Sequence, residues 1–492
     1  MSKDKKGYRV HSIKYNFLMN VILKASTILF PMITFPYVTR VLGAEAYGRV
    51  GFATSVVSYF ALLASLGIPS YAVRLCAKNR EDEALLGKTV KEILTINLYT
   101  LAFTYAIFLV IISLVPKFRE ERVLLLICSS TIILQTIGVE WFYQSIEQYD
   151  YITFRNIIMK VISIIALFLA VHNQNDYIPY AIVSVMGSVG SNILNFLRLP
   201  SLVDIKRKYT LEIKKHIRPI IVLFFYYAAT SIYTNLDVLM LGFLTNNEIV
   251  GFYNASVKMK NLMVSIIGAL GAVALPRASY YLGKGEKDKF FQLIDSSMSF
   301  VLFLSIPLAA FSSIEAKPII LLLAGNGFEN ASLSMSIITP SIIFIGIGTI
   351  TAWQILIPMG REKETLYSAI IGAIVDFIIN LVLIPQYGAA GASTGTLLAE
   401  ISVICTQVFF LRDIIPKIID IKNVLKILTG CTFSCFLMIG ISFFLDGCRP
   451  IVLCFINGTL FMAAYLSIEF ILKEKAIISV VKMINSRIHK KR

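Results

Sequence analysis

The stretch ILTINLYTLAFTYAIFLVIISLV, Ile93 to Val115, runs for 23 residues without a charged side chain. A hydrocarbon core about 30 Å thick is crossed by about 20 mostly apolar residues in a helix, so this run reads as one passage through a bilayer. The same test applied along the whole chain finds fourteen such stretches, at roughly 16–38, 50–72, 93–115, 123–145, 156–172, 179–201, 219–244, 251–275, 291–314, 331–357, 365–384, 391–411, 424–445 and 451–472. Of the 492 residues, 57% are apolar and 15% charged, where a soluble domain carries about 45–50% and about 25%. That balance excludes a water-soluble enzyme. Membrane barrels use short alternating segments rather than unbroken apolar runs, which leaves an all-α polytopic membrane protein of about fourteen transmembrane helices.

Five basic residues, Lys3, Lys5, Lys6, Arg9 and Lys14, precede the first run. The run is too long for a cleaved signal and lacks a small-x-small site at its end, so it reads as a retained first helix. With the N-terminus inside, 34 Lys and Arg fall on inner segments, 7 on outer segments and 5 within helices. Basic residues in short loops stay on the cytoplasmic side, so both termini are expected there. The net charge of +16 then faces anionic headgroups and gives no reason to expect nucleic acid. In the basic tail, 473–492, the segment Ala476 to Ile484 reads as a helix lying on the inner surface, with a solvated tail as the alternative. Seven cysteines form no CxxC pair and four histidines are scattered, which reads as reduced packing thiols and no metal site or cofactor.

Gly51-Phe52-Ala53-Thr54-Ser55-Val56 and Gly251-Phe252-Tyr253-Asn254-Ala255-Ser256-Val257 lie 200 residues apart, each after a Leu-Gly turn. Six helices separate them, an even number, so the halves are expected to run in the same direction about an axis along the membrane normal. The organisation read from this is an N-lobe at 1–201, a cytosolic linker at 202–218, a C-lobe at 219–411, two further helices within 412–472 and the tail at 473–492. No loop is long enough for a catalytic domain, and Gly388 to Gly395 resembles small-residue helix packing rather than a phosphate cradle. The chain is therefore expected to transport rather than to catalyse.

An ionisable group inside a membrane helix costs several kcal/mol unless it meets a partner or water. Lys24 lies about eight residues into helix 1, Lys258 and Lys260 lie in helix 8, and Arg40 and Arg49 flank the first outer turn. Clustered cations in low dielectric suit a polyanionic head, and these five are the candidate substrate-binding residues; salt bridging or snorkelling is the alternative. Asp237 in helix 7, Asp376 and Asn380 in helix 11 and Thr394 in helix 12 lie at similar depth. Their oxygens suit a small hard cation, so they form a candidate Na⁺ or H⁺ coupling site, with a buried polar network as the alternative. Glu140 and Lys160 read as a structural ion pair, and Lys426 as a snorkelling lysine. Pro31, Pro36, Pro307 and Pro340 predict kinks.

Pro31-Met32-Ile33-Thr34-Phe35-Pro36-Tyr37-Val38-Thr39-Arg40-Val41-Leu42-Gly43, with Tyr47-Gly48 and Ser65-Leu66-Gly67-Ile68, resembles the N-terminal signature of bacterial polysaccharide repeat-unit flippases. Glu140 to Thr153 is similar to their fourth-to-fifth-helix segment, with Ser145 where glycine is more usual. The resemblance implies the multidrug/oligosaccharidyl-lipid/polysaccharide exporter fold. It also implies movement of an undecaprenyl-pyrophosphate-linked oligosaccharide to the outer leaflet of the bacterial inner membrane by alternating access. Related lipid-linked precursor flippases imply basic residues on helices 1, 2 and 8 and a sodium site on helices 7, 11 and 12. Lys24, Arg49, Lys258, Asp237, Asp376, Asn380 and Thr394 occupy comparable helices, although Asp and Asn on helix 11 stand in swapped order. A polysaccharide polymerase and other glycan-assembly proteins are the expected protein partners, with membrane lipids around the chain. A multidrug cation exporter of the same fold and a non-transporting scaffold of a glycan-assembly complex are the rival readings.

Overall fold

A computed structural model describes residues 11–205, 207–442 and 450–478. The chain divides into two compact units, 1–251 and 252–492. Among the described residues the regular structure is entirely helical.

The first unit contains α1 (Ile13–Ser65), α2 (Ile68–Asn79), α3 (Glu83–Leu114), α4 (Pro116–Glu120), α5 (Arg122–Ile137), α6 (Glu140–Ser145), α7 (Tyr149–Ala170), α8 (Tyr177–Val185), α9 (Asn192–Leu202) and α10 (Lys214–Leu244). Ser12 caps α1 by accepting the Tyr15 N–H at 3.3 Å. A helix of 53 residues would be roughly 80 Å long, far more than one bilayer core, and α1 breaks at Gly43, φ 72°, ψ 176°. Only glycine takes that conformation without strain, so the Leu-Gly turn divides α1 into two crossings. Ile68, Val90, Ile93, Phe142, Ile152 and Leu199 gather α2, α3, α6, α7 and α9 around one core. Tyr99, Phe103, Val110 and Leu114 of α3 are left exposed, as suits a face turned to lipid tails that are as apolar as the side chains themselves.

The second unit is built mainly from α11 (Asn247–Gly283), whose first turn belongs to the first unit, α12 (Lys287–Ile314), α13 (Ala316–Leu323), α14 (Ala331–Ile338) and α15 (Ser341–Gly348). It continues with α16 (Glu362–Tyr387), α17 (Ala389–Phe410), α18 (Ile415–Ile418), α19 (Ile421–Ser442) and α20 (Pro450–Ile471). Phe290, Val301, Ile342, Ile427, Phe461 and Tyr465 form its core. The α16–α17 seam is the tightest: a Cβ at Gly391 would meet the Leu383 backbone, so the small residues from Gly388 to Gly395 allow the close approach. A π-helical turn spans Thr349–Leu356.

Eleven helices among the described residues are long and apolar enough to cross a membrane, the first of them the 66-residue run Lys14–Asn79. With that run counted as two crossings, and with α10 and α11, of 31 and 37 residues, the helices correspond one for one to the fourteen apolar stretches.

Two local readings change. Glu140 pairs with Arg155 rather than Lys160, its carboxylate accepting Nη2 at 2.9 Å, and buried Arg155 also donates to Asn192 Oδ1 at 3.0 Å. Arg155 and Lys160 are five positions apart on α7, roughly 140° around the helix, so only one can face Glu140. Lys160 instead donates to Ser26 Oγ at 2.9 Å and lies over the Phe30 ring.

The segment expected as a linker is pinned to the N-terminal part of α3. Glu92, 1% exposed, accepts the Glu212 N–H at 2.8 Å and bonds His216 Nε2 at 2.9 Å, while Tyr71 Oη reaches His216 Nδ1 at 2.7 Å. Lys91 donates to the Arg207 carbonyl at 2.9 Å. Hydrogen bonds from Lys88 and then Lys215 hold the Glu212 carboxyl down to about 2. At the far end of the chain Lys426 donates to the Lys473 carbonyl at 3.0 Å. The surface helix expected at Ala476 to Ile484 is helical through Ile478, and its remainder lies outside the described residues.

Candidate functional site

The candidate cations differ in how their charge is met. Arg49, just beyond the Gly43 break, makes ion pairs with Glu45 at 3.5 Å and Glu121 at 3.3 Å and lies over the Tyr177 ring at 5.4 Å. Arg40 turns back along α1 and donates to the Pro36 carbonyl at 2.8 Å. Lys24 is exposed on the apolar first crossing of α1 and has no ion pair among the described residues. Its backbone carbonyl accepts Thr27 Oγ1 at 2.7 Å. Lys258 and Lys260 on α11 are half-buried and likewise meet no carboxylate among the described residues. Lys24, Arg40 and Arg49 belong to the first unit; Lys258 and Lys260 belong to the second.

The candidate acids are all buried. Asp237 on α10 is 5% exposed and belongs to the first unit. Asp376 and Asn380, one turn apart on α16, are 1% and 0% exposed. The structure brings these two against α17 at Gly395, where an added Cβ would run into Asn380 Oδ1 and lie 3.2 Å from Asp376 Oδ1. Thr394 bonds back to the Ala390 carbonyl at 2.9 Å, which leaves its hydroxyl lone pairs available. Around this pair the second unit carries a hydroxyl network: Ser393 with Ser334 at 2.7 Å, and Thr396 with Tyr253 at 2.9 Å.

Sequence reasoning did not single out Glu121, Tyr177 or Tyr253. Each lies far along the chain from its partner, and no local spacing announces such pairs. Gly395 was visible only as part of a small-residue stretch, although its place between two polar turns of α16 is what lets Asp376 and Asn380 lie against backbone. Carboxylate and amide oxygens in one buried seam are among the ligand types of a small hard cation, and lysines without an ion pair among the described residues are the type that meets phosphate.

A polytopic helical fold with two compact units defines a class, and comparison places the chain in it. The solved structure of the lipid II flippase MurJ in an inward closed conformation superposes with a TM-score of 0.73, covering 93% of this chain and 98% of that one at 18% identity. An inward-facing multidrug transporter of the MATE family gives 0.61 over 80% and 98%, at 14% identity. These likenesses show the exporter fold. The family model described as polysaccharide biosynthesis protein matches residues 13–282, and a MatE model matches 222–382. The chain belongs to the polysaccharide biosynthesis protein family.

Among its relatives, a putative O-antigen transporter of Escherichia coli K12 is 21% identical over 82% of this chain and 97% of its own length. One from Shigella dysenteriae is 25% identical over 80% and 98%. The chain is thus a multi-pass membrane protein of this family.

Proposed function

We propose that the protein is a flippase that carries an undecaprenyl-pyrophosphate-linked oligosaccharide from the cytoplasmic to the outer leaflet of the bacterial inner membrane by alternating access. The observation that carries this reading is Lys24, an ammonium on an apolar helix with no ion pair among the described residues. Such a charge is costly in a membrane helix unless it serves an anion or water. The flippase names borne by relatives and the family match support the same substrate class.

In this reading Lys24 and Lys258, with Lys260, meet the pyrophosphate. Arg49 and Arg40 flank the Gly43 break in the middle of α1, which this reading puts on the outer side, where the charge of the head is released. The prenyl chain stays in lipid. Binding energy that differs between the inward and outward states shifts their populations, and Na⁺ or H⁺ at Asp376, Asn380 and Thr394, with Asp237, supplies a second such bias. A polymerase and other glycan-assembly proteins are the partners this role implies.

The test is complementation in cells that need the chain for surface glycan. Lys24→Ala is expected to abolish surface glycan at normal protein level, and Lys24→Arg to retain it. Full surface glycan with Lys24→Ala would refute the role of Lys24, and export of a cationic dye in place of glycan would favour the multidrug reading. For the coupling site, Asp376→Asn transport that is unchanged and indifferent to Na⁺ and proton gradients would refute coupling there.

A further inference from the structure

The first unit encloses a cavity of about 420 Å³ between the second crossing of α1, α5 and α8, within the range of about 300–1,000 Å³ usual for small-ligand sites. Its polar lining includes three spaced pairs, Thr54 and Ser58 on α1, Thr131 and Gln135 on α5, and Ser184 on α8 with Ser188 just beyond its end, together with Ser65 of α1 and Ser231 of α10. Each pair is spaced four residues apart, so it occupies one helical face, and the three faces converge. The floor between them is small and aliphatic, with Val57 and Val185 among it, and among the described residues the lining contains neither a charged side chain nor an aromatic ring.

The polar groups are of two kinds. Thr54, Ser58 and Ser188 donate to the carbonyls of Val50 at 2.7 Å, Ser55 at 2.7 Å and Val185 at 3.0 Å, which leaves their lone pairs to accept from a ligand. Thr131, Gln135 and Ser184 make no hydrogen bond among the described residues and offer donors as well. A second feature marks the same wall: the helix continuing from α8 opens into a π turn at Met186–Gly190, which includes Ser188. Such turns concentrate at functional sites.

We propose that this cavity is a glycan subsite holding an uncharged sugar ring of the transported lipid. A pyranose carries hydroxyls around its rim and C–H groups on its faces, and it matches neutral donors and acceptors set in an aliphatic floor. A pyrophosphate needs cations, and an aromatic cation needs carboxylate or ring faces; the cavity has none of these. The inference rests on the flippase reading, and it divides the work: Lys24 answers the charge of the head, and this cavity reads the sugar.

Binding to the full-length chain in nanodiscs tests it with two probes, a polyprenyl pyrophosphate without sugar and the same lipid bearing an uncharged trisaccharide. The combined variant Thr131→Val, Gln135→Leu, Ser184→Ala keeps most of the side-chain volume and removes the hydrogen bonds. It is expected to weaken the glycosylated probe roughly tenfold and to leave the bare lipid unchanged. Ser184→Leu, which fills the cavity instead, is expected to give the same selective loss, and it decides the matter if the triple variant does not fold. Equal binding of the glycosylated probe by wild type and a folded variant would overturn the subsite. If wild type binds neither lipid, or if Lys24→Ala leaves the bare lipid bound as before, the flippase reading itself fails and the subsite with it.

Discussion

The two crossings of α1 carry cations that meet opposite fates. Arg49, just beyond the Gly43 break, has two carboxylates and an aromatic face around it. Lys24, in the crossing before it, has no counter-charge among the described residues. Arg155 is answered by Glu140 and Lys160 by Ser26 Oγ. The difference teaches that a charge inside the membrane is informative when its partner is missing, and that depth alone does not separate structural from functional cations.

The largest expected effect on this comparison is at Lys24. Removing a charge-assisted contact worth about 1.5–3 kcal/mol should slow lipid transfer by roughly ten- to a hundredfold in Lys24→Ala, with no change in thermal stability. Supplying the missing partner sharpens the point: a carboxylate placed one turn away, Thr27→Glu, is expected to imitate Arg49's situation and silence Lys24 while protein level holds.

Next is the buried seam of the second unit. Gly395→Ala drives a methyl into Asn380 and should destabilise by about 1–3 kcal/mol as an overpacked contact, read as a lowered unfolding midpoint together with lost transport. An unchanged midpoint would show that α16 and α17 separate freely there.

Larger for stability, but without a direct role in transport, is the clamp at Glu92. Glu92→Ala leaves buried His216 and the Glu212 N–H without their acceptor, and breaking such a buried pair costs about 3–5 kcal/mol. Limited proteolysis should then cut the 203–213 segment, which wild type protects.

Arg49→Ala should cost less, about 1 kcal/mol, because the pairs are partly exposed, and the loss should shrink at high salt. The smallest effect concerns Lys475, which hydrogen-bonds Asp420 and holds its carboxyl below the ordinary range. A lowered carboxyl contributes stability above its unfolded value, about 3.9, and loses it as pH falls through the lowered folded value. The difference between wild type and Lys475→Gln, under about 1 kcal/mol, should therefore be full at pH 6 and shrink as pH falls below about 3.9.

The fold was legible because the bilayer imposes it: backbone must be satisfied within helices, so apolar length alone predicts each crossing, and Gly43 marks the turn in α1. The candidate acids were legible as polar residues in apolar runs, and Asp376 and Asn380 meet because four residues make one turn. What stayed hidden depends on long-range pairing. Arg49 finds Glu121 and the 203–217 segment finds Glu92 across more than seventy residues, and no periodicity encodes that. The hydroxyl pairs of the first unit were hidden for another reason. Ser and Thr commonly bond back to their own helix in membranes, so Thr54 and Ser58 look ordinary until the structure turns three such faces to one cavity.

The central claim is that the unanswered charge of Lys24 is there for an anionic lipid head. The direct measurement is transfer of a polyprenyl-pyrophosphate-linked glycan between leaflets of vesicles containing wild type, Lys24→Ala or Lys24→Arg at equal protein density. The account predicts transfer by wild type and Lys24→Arg, and near-background transfer by Lys24→Ala. Equal rates for all three would contradict it.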